Sequence, residues 1–209
     1  MKRLFLRSFY TFACARHTIS RTNKFSLASS LRVNVGGKDP AVRLVPWQHE
    51  MAPLLVEHFN GPDATEIVKN LRNIPQPFTL RHAELLAATF ADKKCYGIVE
   101  ETDLDLIGVI SLTWNECGIV EVGFYLVKQW WGDGIMVSVL HTLLALLEST
   151  PVEERPFAKI YAFVNENNLA SQKTLERAGF EKEAFLRLNQ KVNGRFENEF
   201  LYAYYLNNS

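Results

Sequence analysis

A glycine-containing turn at residues 129–134 constrains this chain most, because it stands between two apolar runs of different length. The run before it, residues 119–127, has the length of a strand, and the run after it, residues 135–147, has the length of a helix. Gly132 and Gly134 can adopt backbone angles that bring successive N–H groups together, and the following helix adds the positive end of its dipole. A strand, a glycine turn and a helix in this order predict a site that binds phosphate.

A second segment further along the chain strengthens this interpretation. An apolar run at residues 160–164 is followed by a polar stretch and then by a helical pattern that ends at Gly179. Asn168 is of the residue type that caps a helix N-terminus, and Ser171 lies in the first turn after it. Since the strand-to-helix arrangement occurs twice, the first turn is less easily explained as a plain connection.

The remaining pattern predicts a mixed sheet with helices on both faces. Three apolar runs joined by short polar turns, residues 96–100, 106–114 and 119–127, indicate an antiparallel meander. Thr79 is expected to cap a helix that precedes the meander, and Asn193 with Gly194 predicts a hairpin between the last two strands. We therefore expect an α/β (α+β) fold whose mostly antiparallel sheet has seven strands.

Residues 1–38 differ in composition from the rest of the chain. They carry eight basic side chains and no acidic one, whereas residues 39–209 carry 15 basic and 23 acidic side chains. A leader rich in Arg and Ser, with Leu and Phe at helical spacing, is typical of an organellar transit peptide and predicts the mitochondrial matrix. The alternatives are a disordered basic tail, which would leave the protein in the cytoplasm, a misplaced start codon, and an RNA-binding arm. We expect one folded domain at residues 39–209, with its first strand at residues 42–47.

Cysteine and histidine spacing argues against a metal site. Cys14, Cys95 and Cys117 form no Cys-x-x-Cys pair, and the histidines add no ligand spacing. His82 and Glu84 resemble the start of a zinc deaminase signature, but the Pro-Cys-x-x-Cys part is missing. The apolar run at residues 135–147 is shorter than the roughly 20 residues that cross a bilayer. We expect neither a metal nor a membrane partner.

The two strand-to-helix segments resemble those of the GNAT superfamily of acyl-CoA-dependent N-acyltransferases. Gln129, Gly132 and Gly134 match its Gln/Arg-x-x-Gly-x-Gly/Ala signature, whose backbone amides hold the CoA pyrophosphate. Glu121 and the Gly-Phe pair at residues 123–124 resemble the Glu-x-Gly-Tyr pattern of the ribosomal-protein N-terminal acetyltransferases (Rim-type). The resemblance covers residues 42–206. It implies an acetyl-CoA-dependent N-acetyltransferase that acetylates a primary amine directly, in a protein N-terminus or in a small molecule.

The resemblance also implies which residues bind acetyl-CoA as co-substrate. In this family the strand before the signature splays from its neighbour and offers amides and carbonyls to the pantetheine arm. Asp133 departs from many relatives, in which that position is basic, and a carboxylate beside a pyrophosphate is repulsive unless it points to solvent. The expected contacts are Phe124, Tyr125, Leu126, Gln129, Trp131, Gly132, Asp133, Gly134, Ile135, Asn168 and Ser171.

Acetyl transfer needs an uncharged amine and a proton for the leaving thiolate. Ser171 matches the serine that some Rim-type members place near the CoA sulfur, so it is the candidate general acid; the Tyr that many relatives use one turn later is Leu175 here. Gln190 stands where some members have a Glu that acts as general base. Glu121 is the candidate general base in this chain, and a water chain is the alternative. Phe78 and Trp114 are the candidates for the acceptor pocket.

A second hypothesis gives this fold no catalytic role. Leu175, Gln190 and Asp133 favour a non-catalytic acyl-CoA-binding or assembly protein that has lost the chemistry. Under the first hypothesis the partners are acetyl-CoA and an amine, and the acidic domain favours a cationic acceptor in general terms. Nucleic acid is expected as a partner only if the leader is an RNA-binding arm.

Overall fold

The computed structural model describes residues 30–36, 42–71, 74–89, 94–115, 118–151, 157–192 and 194–206. Two short 3-10 helices, His49–Met51 and Lys128–Trp130, accompany the main elements. The strands are β1 (Leu31–Val33), β2 (Val42–Pro46), β3 (Lys94–Glu100), β4 (Leu106–Trp114), β5 (Ile119–Leu126), β6 (Lys159–Asn165), β7 (Glu181–Val192) and β8 (Arg195–Tyr205). The helices are α1 (Ala52–Asn60), α2 (Ala64–Val68), α3 (Leu80–Ala88), α4 (Ile135–Glu148) and α5 (Leu169–Arg177).

The strands form one sheet in the order β1-β2-β3-β4-β5-β6-β8-β7. The pair β5 and β6 is parallel, and the other neighbouring pairs are antiparallel. Helix α4 carries the chain from the end of β5 back to the start of β6, which is the crossover that a parallel pair requires. The expected mixed, mostly antiparallel sheet is confirmed.

The sheet has eight strands instead of the expected seven, because it begins before residue 42. β1 pairs with β2, with Leu31 opposite Leu44. Val33 and Val35 are 1% and 6% exposed and pack in the same core as α4. A strand of three residues between polar neighbours is too short to show an alternation of apolar and polar residues. The sequence analysis therefore assigned these residues to the leader. Residues 1–29 lie outside the described part of the chain, and the transit-peptide prediction falls on them.

Two apolar cores lie on opposite faces of the sheet. One core joins the strands to α4 and α5, and seven residues of α4 are buried in it: Ile135, Met136, Val139, Leu140, Leu143, Leu144 and Leu147. The other core lies under α1, α2 and α3 and includes Leu55, Phe59 and Phe78. Because side chains alternate between faces along a strand, β5 sends Val120 and Val122 to the first core and Tyr125 to the second. The end of β5 therefore contacts both layers.

Helix ends follow the predicted residues. Thr79 Oγ1 accepts from His82 N at 3.3 Å, and His82 Nδ1 accepts from Thr79 N at 3.1 Å. Asn168 Oδ1 accepts from Ser171 N at 3.2 Å, and Gly179, with φ +91°, follows the end of α5. The hairpin between β7 and β8 is present with Gly194 at φ +83°, whereas Asn193 is outside the described residues. These ends confirm the predicted caps at Thr79 and Asn168.

In the ranges that the structure describes, no helix is long and apolar enough to cross a membrane. Over the same ranges, no three His, Cys, Asp or Glu side chains are grouped as metal ligands would be. Cys95 is buried in the core under α1, α2 and α3.

Candidate active site

The gap between β5 and β6 forms the first wall of the site. Their parallel ladder ends at Glu121 and Tyr161, although both strands continue. Val127 N donates to Ile107 O at 2.8 Å, on the β4 side. Because successive residues of a strand hydrogen-bond in opposite directions, the amide and carbonyl of Phe124 face the open side. The splay that the resemblance implied for this strand is therefore present.

An open cavity of about 390 Å³ lies at this splayed end of the sheet. Its walls come from the end of β5, the glycine turn, the start of α4, the start of α5 and, on the far side, α2 with the residues after it. The predicted acetyl-CoA contacts that line it are Phe124, Tyr125, Leu126, Trp131, Gly132, Gly134, Ile135, Asn168 and Ser171. The fold thus brings together most of the residues that the sequence analysis selected.

The start of α4, just after the glycine turn, lines this cavity with residues whose backbone amides have no acceptor within the helix. Gly132 and Gly134 have φ values of +91° and +78°, in the left-handed region that favours glycine. Helix α4 has no side-chain N-cap, and Ser138 N is the first amide to bond within it, to Gly134 O at 3.0 Å. The amides of residues 135–137 precede that bond and have no acceptor within the helix. They are the donors that an anion at this helix end would use.

Two predicted contacts, Gln129 and Asp133, are not part of the cavity wall. Both residues are exposed, Gln129 within the 3-10 helix Lys128–Trp130 and Asp133 between the two glycines. Asp133 therefore stands outside the lining that an anion would contact.

Arg177 is a cavity residue that the sequence analysis missed. It is the last residue of α5, and its Nη2 lies 3.9 Å from the position that a Cβ on Gly134 would occupy. Among the described residues no carboxylate pairs with this guanidinium, whereas Lys69, on the opposite wall, is paired with Glu66 at 2.5 Å. Helix α5 thus places a positive charge beside the glycine turn. Within that turn, Asp133 occupies the position that is basic in many relatives. Only the packing of α5 against α4 reveals this contact.

Asn168 and Ser171 form a reciprocal pair at the start of α5. Asn168 Nδ2 donates to Ser171 Oγ at 2.9 Å, while Asn168 Oδ1 accepts from Ser171 N. Since the Ser171 oxygen already accepts a hydrogen bond, its own O–H is available to donate. That is the role a general acid requires. Leu175, one turn later, is fully buried and packs in the core.

A sequence profile of the Acetyltransferase (GNAT) domain matches residues 41–181. This chain belongs to the GNAT acetyltransferase family. The Probable N-acetyltransferase YjcK of Bacillus subtilis (strain 168) is 35% identical over 106 residues, which are 49% of this chain and 56% of that protein. The aligned part thus spans little more than half the length of this relative.

Solved structures of other acetyltransferases share the fold. The ribosomal-protein-S5-alanine acetyltransferase of Vibrio fischeri superimposes with a TM-score of 0.68 at 16% identity, over 80% of this chain and 94% of that one. RimL, a ribosomal L7/L12 alpha-N-protein acetyltransferase in complex with coenzyme A, gives a TM-score of 0.68 at 18% identity, over 84% and 98% of the two chains. At these identities the likeness establishes the fold alone.

The candidate base of this GNAT domain lies where the β5–β6 ladder ends. Glu121 is partly buried, does not line the cavity, and accepts from Tyr161 Oη at 3.4 Å. It is on the sheet face opposite Val120. On β8 the same face carries Glu199, which is 1% exposed and accepts from Asn189 Nδ2 at 2.7 Å. The sequence analysis considered only Gln190 for a hairpin base, because register across β7 and β8 is not visible in a sequence.

The two acceptor-pocket candidates are placed differently. Phe78 is 2% exposed and packs edge-on against Phe59, with ring centroids 4.9 Å apart, and Phe59 in turn packs against Tyr125 at 5.2 Å. Phe78 therefore supports the cavity wall through one intervening ring. Trp114 lies at the other end of β5, opposite Val120, and packs against Phe157. The structure does not bring Trp114 to the cavity.

Tyr125 has a partner that the sequence analysis did not identify. Its hydroxyl lies 3.0 Å from His58 Nδ1 on α1. Burial lowers the pKa of His58 and raises the pKa of Tyr125, so both groups are held neutral near neutral pH. The pair joins α1 to the splayed end of β5.

Proposed function

We propose that this protein transfers an acetyl group from acetyl-CoA directly to a primary amine. The observation that carries the proposal is one cavity in which the splayed end of β5, the uncapped start of α4 and the Ser171 hydroxyl converge. Extended backbone suits a pantetheine arm, a helix N-terminus suits a pyrophosphate, and a hydroxyl donor suits a leaving sulfur.

Binding of the phosphates rests on backbone donors and one side chain. The amides at the start of α4 and the positive end of its dipole attract an anion. The Arg177 guanidinium lies beside the same turn and supplies a full positive charge. Arg177 therefore offsets the acidic residue, Asp133, that occupies the variable position of the signature.

The chemistry needs three proton movements around one bond exchange: the ammonium loses a proton, the attacking nitrogen loses a second one as the amide forms, and the leaving sulfur gains one. The amine nitrogen forms a bond to the thioester carbonyl carbon, and the carbon–sulfur bond breaks. Ser171 donates the proton that the sulfur takes, because its O–H is available while Asn168 Nδ2 donates to its oxygen, and Ser171 takes up the second nitrogen proton, directly or through water. Glu121 is the group that accepts the proton lost by the ammonium, directly or through water, and Tyr161 Oη orients its carboxylate.

The acceptor is proposed to approach on the sheet face that carries Glu121. Beside the Glu121 carboxylate, this face carries Gly123, which has no side chain, and the ring pair Tyr161 and Phe163 with centroids 5.3 Å apart. Acidic and aromatic groups suit a cationic amine. The activity named for RimL makes a protein N-terminus the first acceptor to test, ahead of a small-molecule amine.

We propose the mitochondrial matrix as the location of this activity. The support is the composition of residues 1–38, which are basic, rich in Ser and free of acidic residues. Expression of the chain with a C-terminal fluorescent tag, with and without residues 1–29, tests it. Mitochondrial fluorescence that persists without those residues would contradict the leader's role.

The proposed function is tested first by calorimetric titration of acetyl-CoA and CoA into the full chain. Micromolar binding is expected, and no binding would refute the assignment of the cavity. Turnover is then measured with short peptides that have free N-termini and with polyamines, for the wild type and for Ser171→Ala and Glu121→Gln. Both variants are expected to keep acetyl-CoA affinity and lose turnover by about 10²-fold.

The same experiment separates the catalytic proposal from the non-catalytic alternative. A binding or assembly protein would bind acetyl-CoA with the same affinity in all three forms and would acetylate none of the amines. Thr142→Ala is a matched control for Ser171→Ala, because it removes a helical hydroxyl that donates to Ser138 O at 2.8 Å and does not line the cavity. Its turnover is expected to stay within about twofold of the wild type.

A further inference from the structure

The turn that contains Asn168 is hydrogen-bonded to β8. Residues 165–168 join β6 to α5, and Glu166 N donates to Asn198 O at 3.1 Å. The Asn198 side chain adds a second bond, because its Nδ2 donates to Glu166 Oε1 at 2.9 Å. The backbone and the side chain of Asn198 thus both form a hydrogen bond with Glu166.

Asn198 also holds β7. Its Oδ1 accepts from Leu188 N at 2.9 Å, so both ends of its amide are engaged and its orientation is determined by its partners. Leu188 lies in a bulge between Leu186 and Gln190, has φ +54°, and is 63% exposed. A left-handed leucine is unfavourable unless its surroundings hold it. The bond to Asn198 is one such restraint.

Hydrogen bonds continue from Glu166 to the start of α5. The buried side chain of Gln172 donates through Nε2 to Glu166 O at 2.9 Å and to Asn165 O at 3.3 Å. Asn168 N donates to Asn165 O at 2.9 Å, and the Asn168 side chain then holds Ser171. The position of the Ser171 hydroxyl therefore depends on a turn that β8 restrains through Glu166.

We propose that Asn198 and Glu166 are positioning residues that set the Ser171 hydroxyl against the thioester. This inference rests on the proposed function, because it assigns Ser171 as the proton donor. Neither residue lines the cavity. Their effect is through the turn, and a misplacement of about 1 Å in a reacting group can reduce the rate by about 10²-fold.

A charge exchange between the two residues tests the proposal. Asn198→Asp keeps an acceptor for Leu188 N but places a second carboxylate oxygen where Nδ2 faced Glu166. Adding Glu166→Gln to that variant restores one donor and one acceptor with the direction of the bond reversed. Asn189→Asp is the matched control: it makes the same change opposite another carboxylate, that of Glu199, without contacting the turn.

Two readouts separate this proposal from the proposed function. The first is amide hydrogen exchange of Ser171 N–H in the full chain, which requires no activity. It is expected to be faster by about tenfold in Asn198→Asp, to return to within about twofold in the double variant, and to stay unchanged in Asn189→Asp. The second is turnover of a short peptide with a free N-terminus, in which kcat is expected to follow the same order while acetyl-CoA affinity changes by less than about twofold.

Exchange at Ser171 that is the same in Asn198→Asp and in the wild type would overturn the proposal, and so would a double variant that recovers neither readout. A wild-type protein that acetylates no amine would refute the proposed function, while the exchange measurement would still decide whether Asn198 and Glu166 restrain the turn.

Discussion

The indole Nε1 of Trp131 donates to the carbonyl of Leu126 at 2.8 Å. This bond ties the last residue of the splayed strand to the residue just before the first glycine of the turn. Leu126 is in the part of β5 that has separated from β6, so its carbonyl would otherwise face the open side. The bond therefore joins the wall proposed for the pantetheine arm to the turn proposed for the phosphates.

Trp131→Phe is expected to weaken acetyl-CoA binding by about fivefold, because a net hydrogen bond of about 1 kcal/mol that orders two cavity walls is lost. Calorimetric titration measures the change. Trp114→Phe is the matched control: its buried Nε1 has no partner among the described residues and it does not line the cavity, so affinity is expected to stay within about twofold. A larger effect at Trp114 than at Trp131 would contradict this assignment.

Arg177→Gln is expected to reduce acetyl-CoA affinity by about tenfold at low salt, and by less as salt increases, since the guanidinium is exposed and its attraction is screened. Lys173→Gln, one turn earlier on the same helix, removes an equal charge that does not line the cavity and is expected to have little effect. Titrating both variants with dephospho-CoA identifies the phosphate involved. Equal loss for CoA and dephospho-CoA would indicate the pyrophosphate.

Val33→Ala in the full chain is expected to lower the free energy of unfolding by about 2 kcal/mol, because it empties part of a core position that is 1% exposed. Arg32→Ala changes the adjacent residue, whose exposed pairing with Glu101 contributes little. Urea unfolding measures both. If the two substitutions cost the same, β1 would not be an integral part of the domain.

Stability is expected to fall between about pH 7 and pH 5 through His58. Burial holds the His58 pKa below its unfolded value of 6.5, so as pH falls through that value the unfolded chain binds a proton that the folded chain does not. Each unit of depression costs up to about 1.4 kcal/mol. His58→Asn keeps a polar atom near Tyr125 Oη and cannot titrate. Urea unfolding at the two pH values should therefore show a smaller loss in this variant, and equal losses would exclude His58 as the cause.

Much of the site could be predicted because its parts are local. The left-handed angles of Gly132 and Gly134 and the caps at Thr79 and Asn168 depend on residues within one turn of the chain. The same holds for the apolar alternation of the strands, which indicated a mixed sheet. The expected site was incomplete where distant segments meet: β1 against β2, Arg177 beside Gly134, and Glu199 on the face of Glu121.

The sequence alone therefore determined the strand, the glycine turn and the helix that follows, together with the capped start of α5. Backbone preferences and short-range hydrogen bonds determine all of these features. Only the packing of the strands and helices determined three other features. These are the splay of β5 from β6, the position of Arg177 beside Gly134, and the hydrogen bond from Asn198 to Glu166. Each of these joins residues far apart in the chain. Their contact depends on how whole strands and helices pack, which no short window of sequence records.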